Sequence, residues 1–141
     1  MSAENKAIVR KFYKMFELGD PGLADEVVAA DYVNHNALTG QKIGIEGVKE
    51  FATSLKNALP DIQFNIGDQI AERDRVVSRY TVSGTHQGEL FGVPATGKQV
   101  KWTATATMTV ANGKIQEAWL NWDQWGLMQQ LGVVQPPGQG G

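Results

Sequence analysis

The chain has 141 residues, a formal net charge of -2 and 42% hydrophobic residues. This length suits one domain with a hydrophobic core, and the nearly balanced charge gives no basic surface for nucleic acid or an anionic membrane. The absence of cysteine excludes disulfides, thiolate metal ligands and cysteine nucleophiles. No apolar run reaches the roughly 20 residues of a membrane span, and no secretory signal is recognisable. A cytoplasmic location is therefore expected.

Three helices are predicted in the first half of the chain. Apolar residues recur at helical spacing over residues 3–18. Asp20 followed by Pro21 is typical of a helix N-terminus and predicts a short second helix through Ala29. A further apolar stripe predicts a third helix over residues 45–58, which a proline then ends.

The second half of the chain predicts an antiparallel sheet. Apolar and polar residues alternate there in four segments, which fall near residues 62–67, 76–86, 102–110 and 114–124. A last helical turn follows the fourth strand. Helices first and an antiparallel meander second indicate an α+β domain whose helices cover one face of the sheet.

The dipeptide Asn112-Gly113 is the strongest turn signal in the sequence, since both residue types tolerate positive φ. A two-residue turn pairs Ala111 with Lys114 and sets the register of the hairpin. If that register continues, it predicts four further pairs: Met108 with Glu117, Ala106 with Trp119, Ala104 with Asn121 and Trp102 with Asp123. Asp123 and Asn121 would then point into the interior, beside small alanine side chains that leave space for a pocket.

Asp123 is the leading catalytic candidate on this register. Aromatic and apolar neighbours would raise the pKa of its carboxyl by desolvation and suit it to proton transfer. The alternative is a capping or salt-bridged residue at a strand end. Glu117 is not expected to be its partner, because six residues of strand separate the two by roughly 20 Å.

The two histidines are further candidates for the pocket. Side chains alternate between the two faces of the strand over residues 76–86, and this alternation places Tyr80 and His86 inward. His35 lies in a short segment that could close the pocket. The alternative for each histidine is a hydrogen-bonded structural residue. Two histidines and one carboxylate could nominally form a facial triad, but without a paired spacing motif no metal is expected.

Several motifs in order resemble the SnoaL-like polyketide cyclases of the nuclear-transport-factor-2-like superfamily. They extend over about residues 5 to 133 and comprise Asp31-Tyr32-Val33-Asn34-His35, Gly84-Thr85-His86-Gln87-Gly88-Glu89, Gly92-Val93-Pro94-Ala95-Thr96-Gly97-Lys98, Gly113-Lys114-Ile115-Gln116-Glu117-Ala118-Trp119, Asp123 and Gln130-Leu131-Gly132. The resemblance implies a cone-shaped α+β barrel, in which three N-terminal helices pack in a curved antiparallel sheet around a pocket.

The resemblance also implies a role for Asp123 as general acid/base in a cofactor-independent aldol ring closure. The family's supporting histidine in the preceding strand has no counterpart among residues 105–109, which leaves His35 or His86 as substitutes. Residues expected to contact a ligand are Trp102, Trp119, Asn121, Tyr80, Ala104 and Met108.

The expected function is cofactor-independent cyclisation or isomerisation of a hydrophobic, carbonyl-bearing small molecule; the alternative is a ligand-binding module without catalysis. Residues 1–134 are predicted to form the domain and residues 135–141 a flexible tail. A homodimer is expected, as in the family, through an outer sheet face that comprises Thr103, Thr105, Thr107, Leu120 and Trp122.

Overall fold

Four helices and five strands make up the chain in a computed structural model that describes residues 2–36 and 42–134. The helices are α1 (Ser2–Leu18), α2 (Ala24–Val27), α3 (Gly44–Ala58) and α4 (Gln124–Gln130). The strands are β1 (Val28–Asn34), β2 (Gln63–Glu72), β3 (Arg75–Thr85), β4 (Gln99–Ala111) and β5 (Lys114–Trp122). The predicted tail over residues 135–141 lies outside the described residues.

The N-terminal helices form where the sequence predicts them, with one change. Asp20 caps a short 3-10 helix, Pro21–Leu23, that leads into α2, and its carboxylate accepts a hydrogen bond from the Gly22 N–H at 3.1 Å. The second helix was expected to reach Ala29 but ends at Val27, because Val28 already begins a strand. Val28 is 1% exposed, so the chain turns from helix to strand inside the core.

The five strands form one sheet in the order β1-β5-β4-β3-β2. Strands β2 to β5 pair antiparallel, whereas β1 pairs parallel with β5 at the sheet edge. The expectation of a wholly antiparallel sheet is therefore wrong at this edge. A single sequence gave no signal for a pairing between segments more than eighty residues apart. The α+β cone, with helices against one face of a curved sheet, is confirmed.

The last hairpin contains a β-bulge that the sequence analysis did not predict. Ala111 pairs with Lys114 as expected, and Asn112 and Gly113 have φ values of +55° and +75°. Between Val110 and Thr109 the register shifts, because Ile115 and Glu117 pair with these consecutive residues of β4. One extra residue in β5 reverses which side chains point inward along the rest of the strand.

The predicted pairs beyond the turn are therefore wrong by one residue. The observed pairs are Thr109 with Glu117, Met108 with Ala118, Thr107 with Trp119, Ala106 with Leu120, Thr105 with Asn121 and Ala104 with Trp122. The inward face of β5 consequently carries Ala118, Leu120 and Trp122, all of which belong to the core or pack against it. The polar residues of β5 lie on the outer face.

Candidate functional site

A cavity of about 100 Å³ lies between the helices and the inner face of the sheet. Its lining comes from α1, α3, the loop before β4 and all five strands. The nineteen lining residues are Phe12, Tyr13, Phe16, Tyr32, Asn34, Asn36, Val48, Phe51, Leu55, Phe64, Tyr80, Val82, Phe91, Trp102, Ala106, Met108, Ala118, Leu120 and Trp122. No charged side chain is among these described lining residues, so the cavity offers aromatic surface with a few neutral polar groups.

The three tyrosines of the chain all line this cavity. Tyr13 is 3% exposed, Tyr32 is 5% exposed and Tyr80 is 6% exposed. The rings of Tyr13 and Tyr80 lie 4.5 Å apart. Within the described chain the Tyr13 hydroxyl has no hydrogen-bond partner, although buried hydroxyls are normally paired. The Tyr80 hydroxyl is close enough to affect the pKa of Tyr13 without reaching hydrogen-bonding geometry.

The environment of the cavity keeps these hydroxyls protonated. Burial raises the pKa of Tyr13 well above its ordinary value, and the neighbouring Tyr80 adds to the rise. Burial also raises the pKa of Tyr32. For Tyr80 burial raises the pKa to about 12. At neutral pH all three groups are therefore hydrogen-bond donors and cannot act as general bases.

The raised tyrosine pKa values predict a dependence of stability on alkaline pH. Because the folded state favours the protonated hydroxyl, the stability from these groups is complete below a pH of about 10. It is lost as the pH rises toward the folded-state pKa, which for Tyr80 is about 12. Tyrosinate absorbance should therefore appear only above pH of about 10, together with loss of the near-ultraviolet circular dichroism. A tyrosine that ionises near pH 10 in the folded protein would contradict this assignment.

The rim of the cavity is formed by the lining residues that are partly exposed. Asn34 and Asn36 stand at the end of β1, where the parallel pairing with β5 holds them. The Asn36 side-chain oxygen accepts a hydrogen bond from the Leu120 N–H at 2.7 Å. Phe91 and Trp122 are further half-buried residues of the rim, with their rings 5.1 Å apart. Amide groups and aromatic rings are thus the first groups that an entering molecule would meet.

Asp123 does not lie in this cavity, so the prediction that it points inward is wrong. Because of the bulge, Asp123 is exposed and stands at the N-terminus of α4. Its carboxylate accepts a hydrogen bond from the Gly126 N–H at 2.9 Å, which is the capping role considered as the alternative. A Cβ at residue 126 would collide with this carboxylate, so glycine permits the close approach.

The same reversal places Asn121 and Trp119 on the outer face of the sheet, against the prediction. There the Trp119 ring stacks on His35 with centroids 4.4 Å apart, and Arg75 lies over its face at 5.2 Å. His35 also pairs with Glu117, with Nε2 and Oε1 separated by 2.9 Å. This hydrogen bond lowers the pKa of the Glu117 carboxyl. His35 is therefore part of a surface cluster and not of the cavity.

His86 is fully buried but does not line the cavity. Its Nδ1 accepts a hydrogen bond from the Thr96 N–H at 3.2 Å and lies 2.8 Å from the Thr96 hydroxyl. Its Nε2 lies 3.2 Å from the Val93 carbonyl oxygen. Since Nδ1 is an acceptor, Nε2 carries the proton and donates to Val93. His86 therefore holds the loop between β3 and β4, the structural role that the sequence analysis left open.

The remaining residues that were predicted to contact a ligand fall into two groups, those that line the cavity and one that does not. Trp102, Tyr80 and Met108 line the cavity, and their role in binding a ligand stays a prediction. Ala104 is buried on the same face of β4 but does not reach the lining. Tyr13 and Tyr32 were missed. The apolar spacing of α1 includes residue 13, but a tyrosine within a helical stripe resembles an ordinary core residue.

Across residues 2–36 and 42–134, no three histidine, aspartate or glutamate side chains come together as a metal site would require. Over the same residues, no helix combines the length and the apolar character that crossing a bilayer demands.

Many solved structures share this fold, and three of them show the range of similarity. TsrD from Streptomyces laurentii is 26% identical, with a TM-score of 0.87 and coverage of 94% of this chain and 97% of that one. IdmH from Streptomyces antibioticus is 28% identical, with a TM-score of 0.74 and coverage of 92% and 99%. A SnoaL-like polyketide cyclase from Agrobacterium tumefaciens is 16% identical, with a TM-score of 0.74 and coverage of 90% and 97%, which shows similarity of fold alone.

Comparison of the sequence with known proteins identifies the family of the chain. None of the curated proteins matches the chain in sequence. The sequence model of the SnoaL-like polyketide cyclases, however, matches residues 6–131, which is most of the chain. The chain belongs to the SnoaL-like polyketide cyclase family.

Proposed function

We propose that the chain binds a hydrophobic, carbonyl-bearing small molecule in the cavity and promotes its cyclisation or isomerisation through the tyrosine hydroxyls. The observation that carries the proposal is the Tyr13 hydroxyl, which is buried without a hydrogen-bond partner in the described chain. An unpaired buried hydroxyl lowers stability, so a ligand oxygen that accepts from it is favoured. The aromatic walls supply the apolar contact that such a ligand needs.

The chemistry follows from what these groups can do. When a carbonyl compound loses a proton from the neighbouring carbon, negative charge develops on its oxygen. Protonated tyrosines in a desolvated site stabilise that enolate by donating hydrogen bonds to it. The enolate carbon then attacks a second carbonyl, or takes a proton back at another carbon. In this proposal solvent water takes the first proton and returns one, to the alkoxide oxygen in cyclisation and to the other carbon in isomerisation, because no carboxylate or imidazole is among the described lining residues.

Tyr13→Phe separates this role from ordinary packing. The variant should be as stable as the parent or about 1 kcal/mol more stable, because it removes an unpaired buried hydroxyl. It should bind benzoylacetone, a one-ring 1,3-diketone, about tenfold more weakly, as the loss of one buried hydrogen bond implies. The rate of keto–enol interconversion of the bound diketone, followed by ultraviolet absorbance, should fall about 100-fold. Equal affinity and rate in both proteins would contradict the proposal.

The alternative of binding without catalysis uses the same cavity. It predicts that Tyr13→Phe weakens the binding of benzoylacetone while the parent protein leaves the rate of interconversion at its value in buffer. Calorimetry and absorbance on the same samples therefore distinguish the two functions.

A general acid/base role for Asp123, as the family resemblance implies, is tested by a pair of substitutions. Asp123→Asn keeps an oxygen that can accept from the Gly126 N–H, whereas Asp123→Ala removes it. A helix cap predicts full activity in both variants, with stability lower by about 1 kcal/mol in Asp123→Ala alone. A proton-transferring carboxylate predicts that both variants lose turnover of benzoylacetone. Urea unfolding and the absorbance assay decide between them.

We also propose that two copies associate through the outer sheet face. This face presents Thr103, Thr105 and Thr107 together with the half-buried Trp119, a residue type enriched in interfaces. Leu120 and Trp122, first assigned to this face, line the cavity instead. Sedimentation should show a dimer at micromolar concentration. Thr105→Arg should yield monomers, because it places a second positive charge beside Arg79 on a face that would meet the same face of the other copy. A monomeric parent protein would contradict the proposal.

A further inference from the structure

The cavity is small for a molecule with several rings. Its volume of about 100 Å³ is close to that of an engineered cavity of about 150 Å³ that takes benzene. Pockets for drug-sized ligands are typically about 300–1,000 Å³. As it stands, the cavity accommodates one ring, and a larger ligand requires displacement of a side chain at the rim.

Phe91 is the rim residue with the most unusual backbone. Its φ is +50° and that of Gly92 is +84°, so the two form the corner of a tight turn between Leu90 and Val93. The backbone N–H groups of Leu90 and Val93 each donate to the other's carbonyl oxygen, at 3.0 and 2.9 Å. A bulky residue rarely adopts positive φ, at a typical cost of about 1–3 kcal/mol.

This conformation directs the Phe91 ring across the cavity. The ring centroid lies 5.1 Å from that of Trp122, 6.2 Å from that of Phe51 and 6.4 Å from that of Trp102. The ring therefore connects α3 with strands β4 and β5 at the rim. Phe91 lines the cavity and is only half-buried, so part of this residue is exposed to solvent.

The base of this turn is fixed. Leu90 is 3% exposed in the core, and the carbonyl oxygen of Val93 accepts a hydrogen bond from buried His86. Gly88 packs against the backbone of Asn57 so closely that a Cβ would collide with it. With both sides of the turn held, the Phe91 side chain is the part that can move without breaking these contacts.

We propose that Phe91 is a gate that sets the size of ligand the cavity admits. The proposal rests on the function proposed above, since it concerns access to the same cavity. With the ring over the cavity, a one-ring ligand fits beneath it. Rotation of the Phe91 side chain toward solvent widens the opening of the cavity and gives space for further fused rings.

The test uses aryl methyl ketones that share one carbonyl and differ in ring number: acetophenone, 2-acetylnaphthalene and 2-acetylanthracene. Phe91→Asn removes the ring while keeping a residue that tolerates positive φ. Calorimetry should show that the parent protein gains little affinity beyond one ring. Phe91→Asn should bind the three-ring ketone about tenfold more tightly than the parent does. Trp125→Ala, which removes an exposed aromatic residue outside the cavity, should behave as the parent.

The possible outcomes separate the gate from the function on which it rests. If all three ketones bind and ring number has the same effect in both proteins, the gate is overturned and the binding function stands. If neither the parent protein nor any variant binds acetophenone, the proposed binding function is disproved, and the gate is disproved with it. Phe91→Gly, which removes both ring and strain, should match or exceed the parent in stability. A large loss of stability would assign Phe91 to the core and overturn the gate.

Discussion

His86→Ala should lower the free energy of unfolding by about 3–5 kcal/mol. The imidazole is fully buried, so its removal leaves a cavity in a packed region. It also leaves the Val93 carbonyl oxygen and the Thr96 N–H without their side-chain partner. A void in the core is among the most destabilising consequences of a single substitution, and the lost hydrogen bonds add to its effect.

The other histidine of the chain is the matched control, since the sequence contains two. The His35 side chain is 37% exposed, and its pairing with Glu117 lies at the surface. Surface ion pairs contribute about 0–1 kcal/mol, so His35→Ala should change stability by no more than that. Urea unfolding of both variants measures the difference. Similar losses for the two would show that the hydrogen bonds of His86 do not hold the loop.

The sequence was sufficient for much of the fold because local signals there agree with tertiary packing. Asp20 caps its helix, and Asn112 and Gly113 adopt the positive φ values that their residue types favour. The parity of β3 correctly places Tyr80 and His86 in the interior. Each of these features depends on residues within a few positions of one another. The parallel pairing of β1 with β5 depends on distant residues and was not predictable from spacing.

The site was predicted less well than the fold, because the bulge at Gln116 in β5 was not foreseen. Trp102 and Met108 were placed correctly because they lie on β4, which has no bulge between them. Every inward assignment on β5 beyond the bulge was reversed. The sequence contained a signal for this: the apolar residues Ile115 and Ala118, both buried in the structure, are three positions apart, a spacing that strict alternation forbids. The polar residues of β5 were instead assigned to the inner face of the sheet and interpreted as catalytic, which placed Asp123 in the pocket.

Gln116 is the additional residue of the bulge, and the cavity depends on its being left out of the ladder. Its side-chain amide donates to the carbonyl oxygens of Ala111 and Lys114, at 2.9 and 3.3 Å. These bonds satisfy backbone groups near the point where the regular ladder is interrupted. The side chain of Gln116 thus supports the bulge, and the bulge keeps Leu120 and Trp122 directed inward.

Deletion of Gln116 should keep the register of β4 and β5 and cost about 1 kcal/mol, as Gln116→Ala should. With the residue deleted, Ile115 and Glu117 become consecutive and still pair with Val110 and Thr109, so the turn is kept and Trp122 stays inward. The alanine variant loses only the two hydrogen bonds to carbonyl oxygens and keeps the bulge. Urea unfolding and the binding of acetophenone test both variants. A deletion variant that has lost several kcal/mol of stability, or its affinity for acetophenone, would contradict the assignment of Gln116 as the additional residue.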